Sequence, residues 1–309
     1  MPHIPLHNPH VNRMAYDPHQ QAGPTATGSG RPSPARFYAA CQGGAEATNA
    51  YEPDRLAAHR IREAGLDPVS ITRAHRAFQQ RAVIAAAQAG VSQFLDVGCG
   101  LPPVTGPTTQ ARAETIHPRT ARTLYLDADP VVVRHAQALM RSTRTGAADA
   151  ARADLRDPQA VLGLAGEHLD LRRPVCLLLT GVLHYLPDSD QPHALVRALV
   201  DGLPAGSAVA VSHLTDAYDP RMMRQTEDVL HEAGLMIRAR PAAGIVRFFS
   251  GLALTSPGVV PVPHWHARPE PDAAWPRPRV HTLGGLGRKP ASPHRRCTRC
   301  SPTTAKGRA

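Results

Sequence analysis

Five apolar runs, most of them followed by a helical pattern, alternate through the middle of the chain, and few folds accept that order. The runs are Gln93 to Val97, Thr123 to Asp127, Ala150 to Leu155, Val175 to Leu183 and Ala208 to His213. Helical spacing fills Pro130 to Arg141, Pro158 to His168, Gln191 to Leu203 and Pro220 to Ala233. Pro130, Pro158 and Pro220 each stand where a helix begins, the one place where a missing N–H costs nothing. The strand runs are apolar throughout instead of alternating, so neither face is left to water. Buried strands alternating with helices predict a parallel sheet covered on both sides.

Upstream, apolar residues recur at helical spacing from Tyr51 to Ala89 and break at Leu66-Asp67-Pro68, which predicts two helices before the first strand. Downstream of Pro241 come a short helix at Ala243 to Ser250, an apolar run at Leu252 to Leu254 and a last strand at Val280 to Gly287. The last two have no helix between them, so they are expected to pair antiparallel at one edge of the sheet.

The ends are of a different kind. Of 31 prolines, 17 lie in residues 1–36 and 257–309. Residues 1–33 are expected to be a disordered leader, 34–90 a helical segment, 91–290 the core, and 291–309 a basic disordered tail. Residues 264–309 carry ten Arg/Lys and two Asp/Glu, most of the net charge of +10. That charge sits in a tail and not in a stripe beside the core, so a nucleic-acid partner is not expected. Cys297 and Cys300 form a lone C-x-x-C without the four ligands zinc needs, while Cys99 and Cys176 read as reduced packing residues. No metal site is expected. No apolar run reaches the length of a membrane span and no signal segment opens the chain, so the cytoplasm is the expected compartment.

In an open parallel sheet, ligands bind beyond the carboxyl ends of the strands. The first run ends in Asp96-Val97-Gly98-Cys99-Gly100, the second in Asp127-Ala128, the third near Asp154-Leu155 and the fourth in Thr180-Gly181. Glycines let the backbone turn sharply and approach a ligand. An acid ending the second strand is placed to accept both hydroxyls of a ribose, Asp154 would face an adenine amino group, and Asp96 would hold the glycine turn or an ammonium through water. Gly98, Gly100, Ala128, Leu155 and Thr180 complete the expected contacts. A dinucleotide uses the same topology, but its G-x-G-x-x-G fingerprint wants glycine where Pro103 stands, and proline removes a donor from the loop that would cradle a pyrophosphate. Gly98 to Asp127 also spans more than the roughly 20 residues that fingerprint expects. The residues favour S-adenosylmethionine, which has no pyrophosphate.

The chain further resembles a family of bacterial S-adenosylmethionine-dependent methyltransferases, long labelled a domain of unknown function and abundant in GC-rich filamentous soil bacteria. The resemblance rests on Phe94 to Pro102, Leu124 to Val132, Ala153 to Pro158, Val182 to Asp188, Val211-Ser212-His213, Arg247 to Leu252 and Gly284 to Pro290, and covers about residues 34–290. It implies a class I, Rossmann-like fold: a seven-stranded, mostly parallel sheet with helices on both faces and an N-terminal helical lid. Ala35-Arg36-Phe37-Tyr38, Gly43-Gly44 and Tyr51 to Arg55 resemble the family's N-terminal signature. The acid after Tyr38 is Ala39, the Lys-Asp after the glycines becomes Ala45-Glu46-Ala47-Thr48, His75 replaces an Asn before Arg76, and Pro107 replaces part of a Gly-Asn pair.

Methyl transfer needs in-line approach of a nucleophile, and a general base only where the acceptor must lose a proton. His184, just after the fourth strand, is the leading base candidate; the same run also reads as a structural turn whose ring caps a backbone group. His213 is a weaker version of the same idea, and Tyr38 is a candidate for positioning an acceptor. Arg36 and Arg76 are candidates for the cofactor carboxylate. Three functions follow: transfer to a small-molecule acceptor, cofactor binding without transfer, motivated by the altered N-terminal signature, and nicotinamide-dependent oxidoreduction, which Pro103 disfavours. Neither the acceptor nor the oligomeric state has a signature in the sequence.

Overall fold

The computed structural model describes residues 30–140, 146–266 and 280–291. The expected leader and tail, including Cys297 and Cys300, lie almost wholly outside the described residues. Helices α1 (Pro34–Gln42), α2 (Glu52–Glu63) and α3 (Pro68–Gln88) precede β1 (Gln93–Val97). Then follow α4 (Thr109–Glu114), β2 (Arg122–Asp127), α5 (Pro130–Leu139), β3 (Ala147–Arg152), α6 (Pro158–His168), β4 (Val175–Thr180), α7 (Pro192–Gly202), β5 (Ala208–Leu214) and α8 (Pro220–Glu232). The chain closes with α9 (Ala242–Val246), β6 (Ala253–Leu254), β7 (Val260–Pro261) and β8 (Thr282–Arg288).

Helix starts follow one rule. Ser33, Asp67, Asp129, Asp157 and Asp219 each precede a proline at the first turn, and each side chain accepts backbone N–H groups of that turn. The cap satisfies donors the helix leaves open, while proline gives up a donor that would have had no partner.

The strands run in the order β3-β2-β1-β4-β5-β8-β6, with β7 also pairing β8. Strands β1 to β5 are mutually parallel, and β8 is antiparallel to β5. The expected pairing of the last segments holds, with β8 inserted between β5 and β6. Alternate strand residues feed two cores: Leu95, Val97, Leu177, Leu179, Val209 and Val211 pack with Val161, Val196 and Leu199 of α6 and α7 on one face. Phe94, Cys176, Leu178, Ala208 and Ala210 pack with Phe78, Ala82 and Val83 of α3 on the other. Cys99 and Cys176 are free thiols.

Two strand ends and one helix differ from the sequence reading. The third strand ends at Arg152, paired with Asp127, so the chain has left the sheet before Asp154. It is an alanine-rich edge strand with no apolar run to mark its bounds. The fourth ends at Thr180, because Gly181 turns the backbone at φ +68° and Leu183–Tyr185 forms a 3-10 turn. The short α4, capped by Thr108, was not foreseen in a stretch rich in threonine and proline.

Among the described residues no helix is long and apolar enough to cross a membrane, and no group of His, Cys, Asp and Glu has the arrangement of a metal site.

Candidate active site

Strand order reverses between β1 and β4, and a cavity of about 440 Å³ opens beyond their carboxyl ends. Its size falls in the range of ~300–1,000 Å³ usual for small-molecule sites. The floor is the turn after β1. Gly98 and Gly100 adopt φ +70° and +66°, values that side chains with a Cβ rarely take. The Gly98 and Cys99 amides donate to the Leu126 carbonyl at 2.8 and 3.1 Å, fastening the turn to β2. A Cβ on Gly98 would lie 2.4 Å from Val182 Cγ2, whereas one on Gly100 would meet nothing within 4 Å. The first glycine packs against the wall; the second leaves its side open.

Asp127 is held from both sides. The Gly100 amide donates to Oδ2 at 3.0 Å and the Asp129 amide to Oδ1 at 3.0 Å. Each oxygen keeps capacity for a further donor. Burial raises the carboxyl to about 6, against the opposing pull of those two amides. Ala128, Asp154, Leu155 and Thr180 also line the cavity. Asp154 is partly exposed and accepts the Arg156 amide at 2.9 Å.

Arg76 lines the same cavity and makes no hydrogen bond or ion pair among the described residues. A guanidinium with five donors and no hydrogen bond among the described residues suits a carboxylate ligand.

Four of the expected residues are not brought to the cavity. Asp96 is buried behind it, its Oδ2 accepting Gln79 Nε2 at 2.8 Å and the Thr109 hydroxyl at 2.7 Å, so it ties α3 and α4 to β1. Burial lifts its carboxyl to about 6. Arg36 is buried on Asp54 at 3.0 Å, bonds the Arg31 carbonyl and lies over the Tyr51 ring; it fixes residues 31–33 instead of reaching a ligand. His184 is buried beneath the cavity wall in contact with Tyr185, and burial holds its imidazole well below the ordinary histidine range. His213 is likewise sealed, its Nε2 meeting Arg240 at 2.8 Å. Tyr38 does line the cavity, but its hydroxyl donates to the Thr72 carbonyl at 2.9 Å and burial pushes it up to about 12.

Other lining residues escaped the sequence reading, among them Gln42, Glu46, Gln79, Tyr185 and Met236. Helical spacing held a signal for two of them: Gln79 follows Arg76 by one turn, and Gln42 follows Tyr38 by one turn. Glu46 occupies the stretch Ala45 to Thr48 that departs from the family signature. Its carboxylate accepts the Val104 amide at 3.0 Å, the Thr105 amide at 2.8 Å and the Thr105 hydroxyl at 3.0 Å, which draws the N-terminal segment onto the loop after the glycine turn.

A sequence model described as S-adenosyl methyltransferase matches residues 20–290. Among solved structures, the chain is similar to a DUF574 family protein from Streptomyces avermitilis, with 33% identity, 85% of this chain and 99% of that chain covered, and a TM-score of 0.76. It is also similar to a provisionally assigned methyltransferase from Thermobifida fusca, with 31% identity, 85% and 96% covered, and a TM-score of 0.74. No curated protein matches.

Proposed function

The chain belongs to the S-adenosyl methyltransferase family, and from that premise we propose that it moves the methyl group of S-adenosylmethionine to a small-molecule acceptor bound in the same cavity. The cofactor of this family is S-adenosylmethionine, and the residues present suit it. Asp127, with one open acceptor position on each oxygen, would take the ribose hydroxyls. Asp154, Leu155 and Ala128 would hold the adenine. Gly98, Gly100 and Thr180 would lie along the sulfur and its substituents, and Arg76 would take the carboxylate. When bound, the cofactor supplies an electrophilic methyl on a sulfonium.

The residues of this chain position and desolvate. Gly181, Tyr185, Leu186, Leu235 and Met236 line the end of the cavity next to β4, where an acceptor would meet the methyl. That end is largely apolar, which favours a sulfonium losing its charge in the transition state. Residues 31–49 would act as a lid, with Glu46 as its fastening. The observation that carries the reading is the Asp127 carboxylate, held by two amides on the same cavity as Arg76, which has no hydrogen-bond or ion-pair partner among the described residues. Two of the altered signature positions are built into the structure: Ala39 packs with Leu101 and Val132, and Glu46 bonds the loop at Val104 and Thr105.

Calorimetric titration with S-adenosylmethionine, S-adenosylhomocysteine and NAD tests the cofactor assignment, with binding of the two sulfur compounds and not of NAD expected. A screen of phenols, amines and carboxylates for methyl transfer tests the reaction; failure of every class would favour binding without transfer.

A further inference from the structure

A second, smaller cavity of about 40 Å³ lies behind the acceptor end of the first. Tyr38 and Tyr185 line both spaces and so form the partition between them. Its other walls are mostly apolar, including Phe37, Ile61, Ile71 and Leu214; of the polar ones, the Thr72 and Thr226 hydroxyls donate to the Pro68 and Met222 carbonyls, leaving His75 of α3 and His184 of the turn after β4. Each is nine-tenths buried or more, and each carries a ring nitrogen, His75 Nε2 and His184 Nδ1, with no hydrogen-bond partner among the described residues.

Buried polar atoms are seldom left unpaired, because each forfeits its hydration with nothing in return. Here two occur on one cavity. Their ring centroids are 5.8 Å apart, a separation that one oxygen atom spans by hydrogen-bonding to both rings. The volume exceeds the ~10–15 Å³ that a single water needs. The other His75 ring nitrogen is already committed, Nδ1 meeting the Ser212 hydroxyl at 2.7 Å, and the His184 main chain is anchored where its carbonyl accepts the Arg238 amide.

We propose that this cavity is a subsite for one neutral oxygen group, held jointly by His75 Nε2 and His184 Nδ1. Neutrality follows from the rings: burial pushes His75 down to about 3 and His184 well below its usual range, so both are uncharged and neither offers an ion pair. A hydroxyl oxygen donates and accepts, so it satisfies one ring as donor and the other as acceptor. The oxygen has two sources with the same chemistry, bulk water or a hydroxyl that an acceptor extends past the Tyr38–Tyr185 partition. The second source rests on the transfer reading above; the subsite itself does not.

Two crystal structures of the full chain with S-adenosylhomocysteine test this, one without additive and one soaked with phenol. Density for an oxygen within hydrogen-bond reach of both nitrogens is expected in each. Isolated density in both identifies water, and density continuous with a phenol ring in the large cavity identifies the acceptor's own oxygen; either carries the subsite. No such oxygen in either structure overturns it. The His184→Phe variant keeps an aromatic ring and removes both ring nitrogens, Nδ1 among them, so the oxygen should be lost; retention at the same place overturns joint holding. Density for S-adenosylhomocysteine in the large cavity reports separately on the cofactor reading.

Discussion

The Gly100 amide donates to the Asp127 carboxylate at 3.0 Å, so the acid ending β2 is aimed by the glycine turn that follows β1. With the Asp129 amide on the other oxygen, the group is oriented before any ligand arrives. Preorganisation of this kind reduces what binding must spend on ordering side chains.

Asp127→Ala should therefore weaken S-adenosylhomocysteine binding by about 3 kcal/mol, roughly a hundredfold, since hydrogen bonds to a charged group contribute ~1.5–3 kcal/mol each. Calorimetry gives the number directly, and unchanged affinity would refute the ribose assignment. In the wild type, protonation of Asp127 below about pH 6 should weaken the ligand as pH falls.

Arg76→Ala should discriminate between parts of the ligand. Affinity for S-adenosylhomocysteine should fall about tenfold or more, while affinity for 5′-methylthioadenosine, which lacks the amino-acid portion, should stay within about twofold. Equal losses for both would place the guanidinium elsewhere.

Gly98→Ala meets two obstacles, a φ of +70° and Val182 Cγ2 at 2.4 Å. The backbone term alone costs ~1–2 kcal/mol, and the clash adds to it, so a drop of several degrees in Tm is expected. Adding Val182→Ala should recover part of the loss and never all of it, because only the steric part is relieved. Full recovery in thermal melts would contradict the backbone argument.

Stability should fall as the solution is acidified below about pH 6.5. His75, His184 and His213 are buried uncharged, with folded-state values below their unfolded ones, so the unfolded chain binds more protons in that range and acid favours it. Asp96 and Asp127 act oppositely between about pH 4 and 6, since their folded values lie above the unfolded ones. Asp96→Asn keeps an acceptor oxygen for Gln79 and Thr109 while removing one such offset. Its melting temperature should decline more steeply than the wild type's from pH 6 to pH 4, and a shallower decline would reverse the assignment.

Glu46→Ala removes three exposed contacts between the N-terminal segment and residues 104–105. Exposed hydrogen bonds are individually small, about 1 kcal/mol or less, so Tm should hardly move. Dissociation of S-adenosylhomocysteine, followed by stopped flow, should accelerate several-fold if Glu46 fastens the lid. An unchanged rate would separate Glu46 from closure.

The sequence by itself determined the layered sheet, its parallel part and its ligand end. Unbroken apolar runs such as Val175 to Leu179 can be buried only on two faces, and a proline behind an Asp or Ser cap marks five of the helix starts. Those are local, periodic signals, and one chain displays them. It also placed glycines and an acid where strands β1 and β2 end, because that position is set by where each run stops. Tertiary structure alone decided which of these residues reach the cavity. Asp96 and Asp127 read alike, yet Gln79 from α3 and Thr109 from α4 engage the first, while backbone amides orient the second toward the opening. Arg36 and Arg76 differ in the same way: Asp54, 18 residues away, takes one guanidinium, and among the described residues no hydrogen bond or ion pair takes the other. His184 follows a strand end as a base should, but Tyr185 and Tyr38 stand between it and the cavity. Side-chain orientation depends on partners distant in sequence, and no spacing along the chain records them.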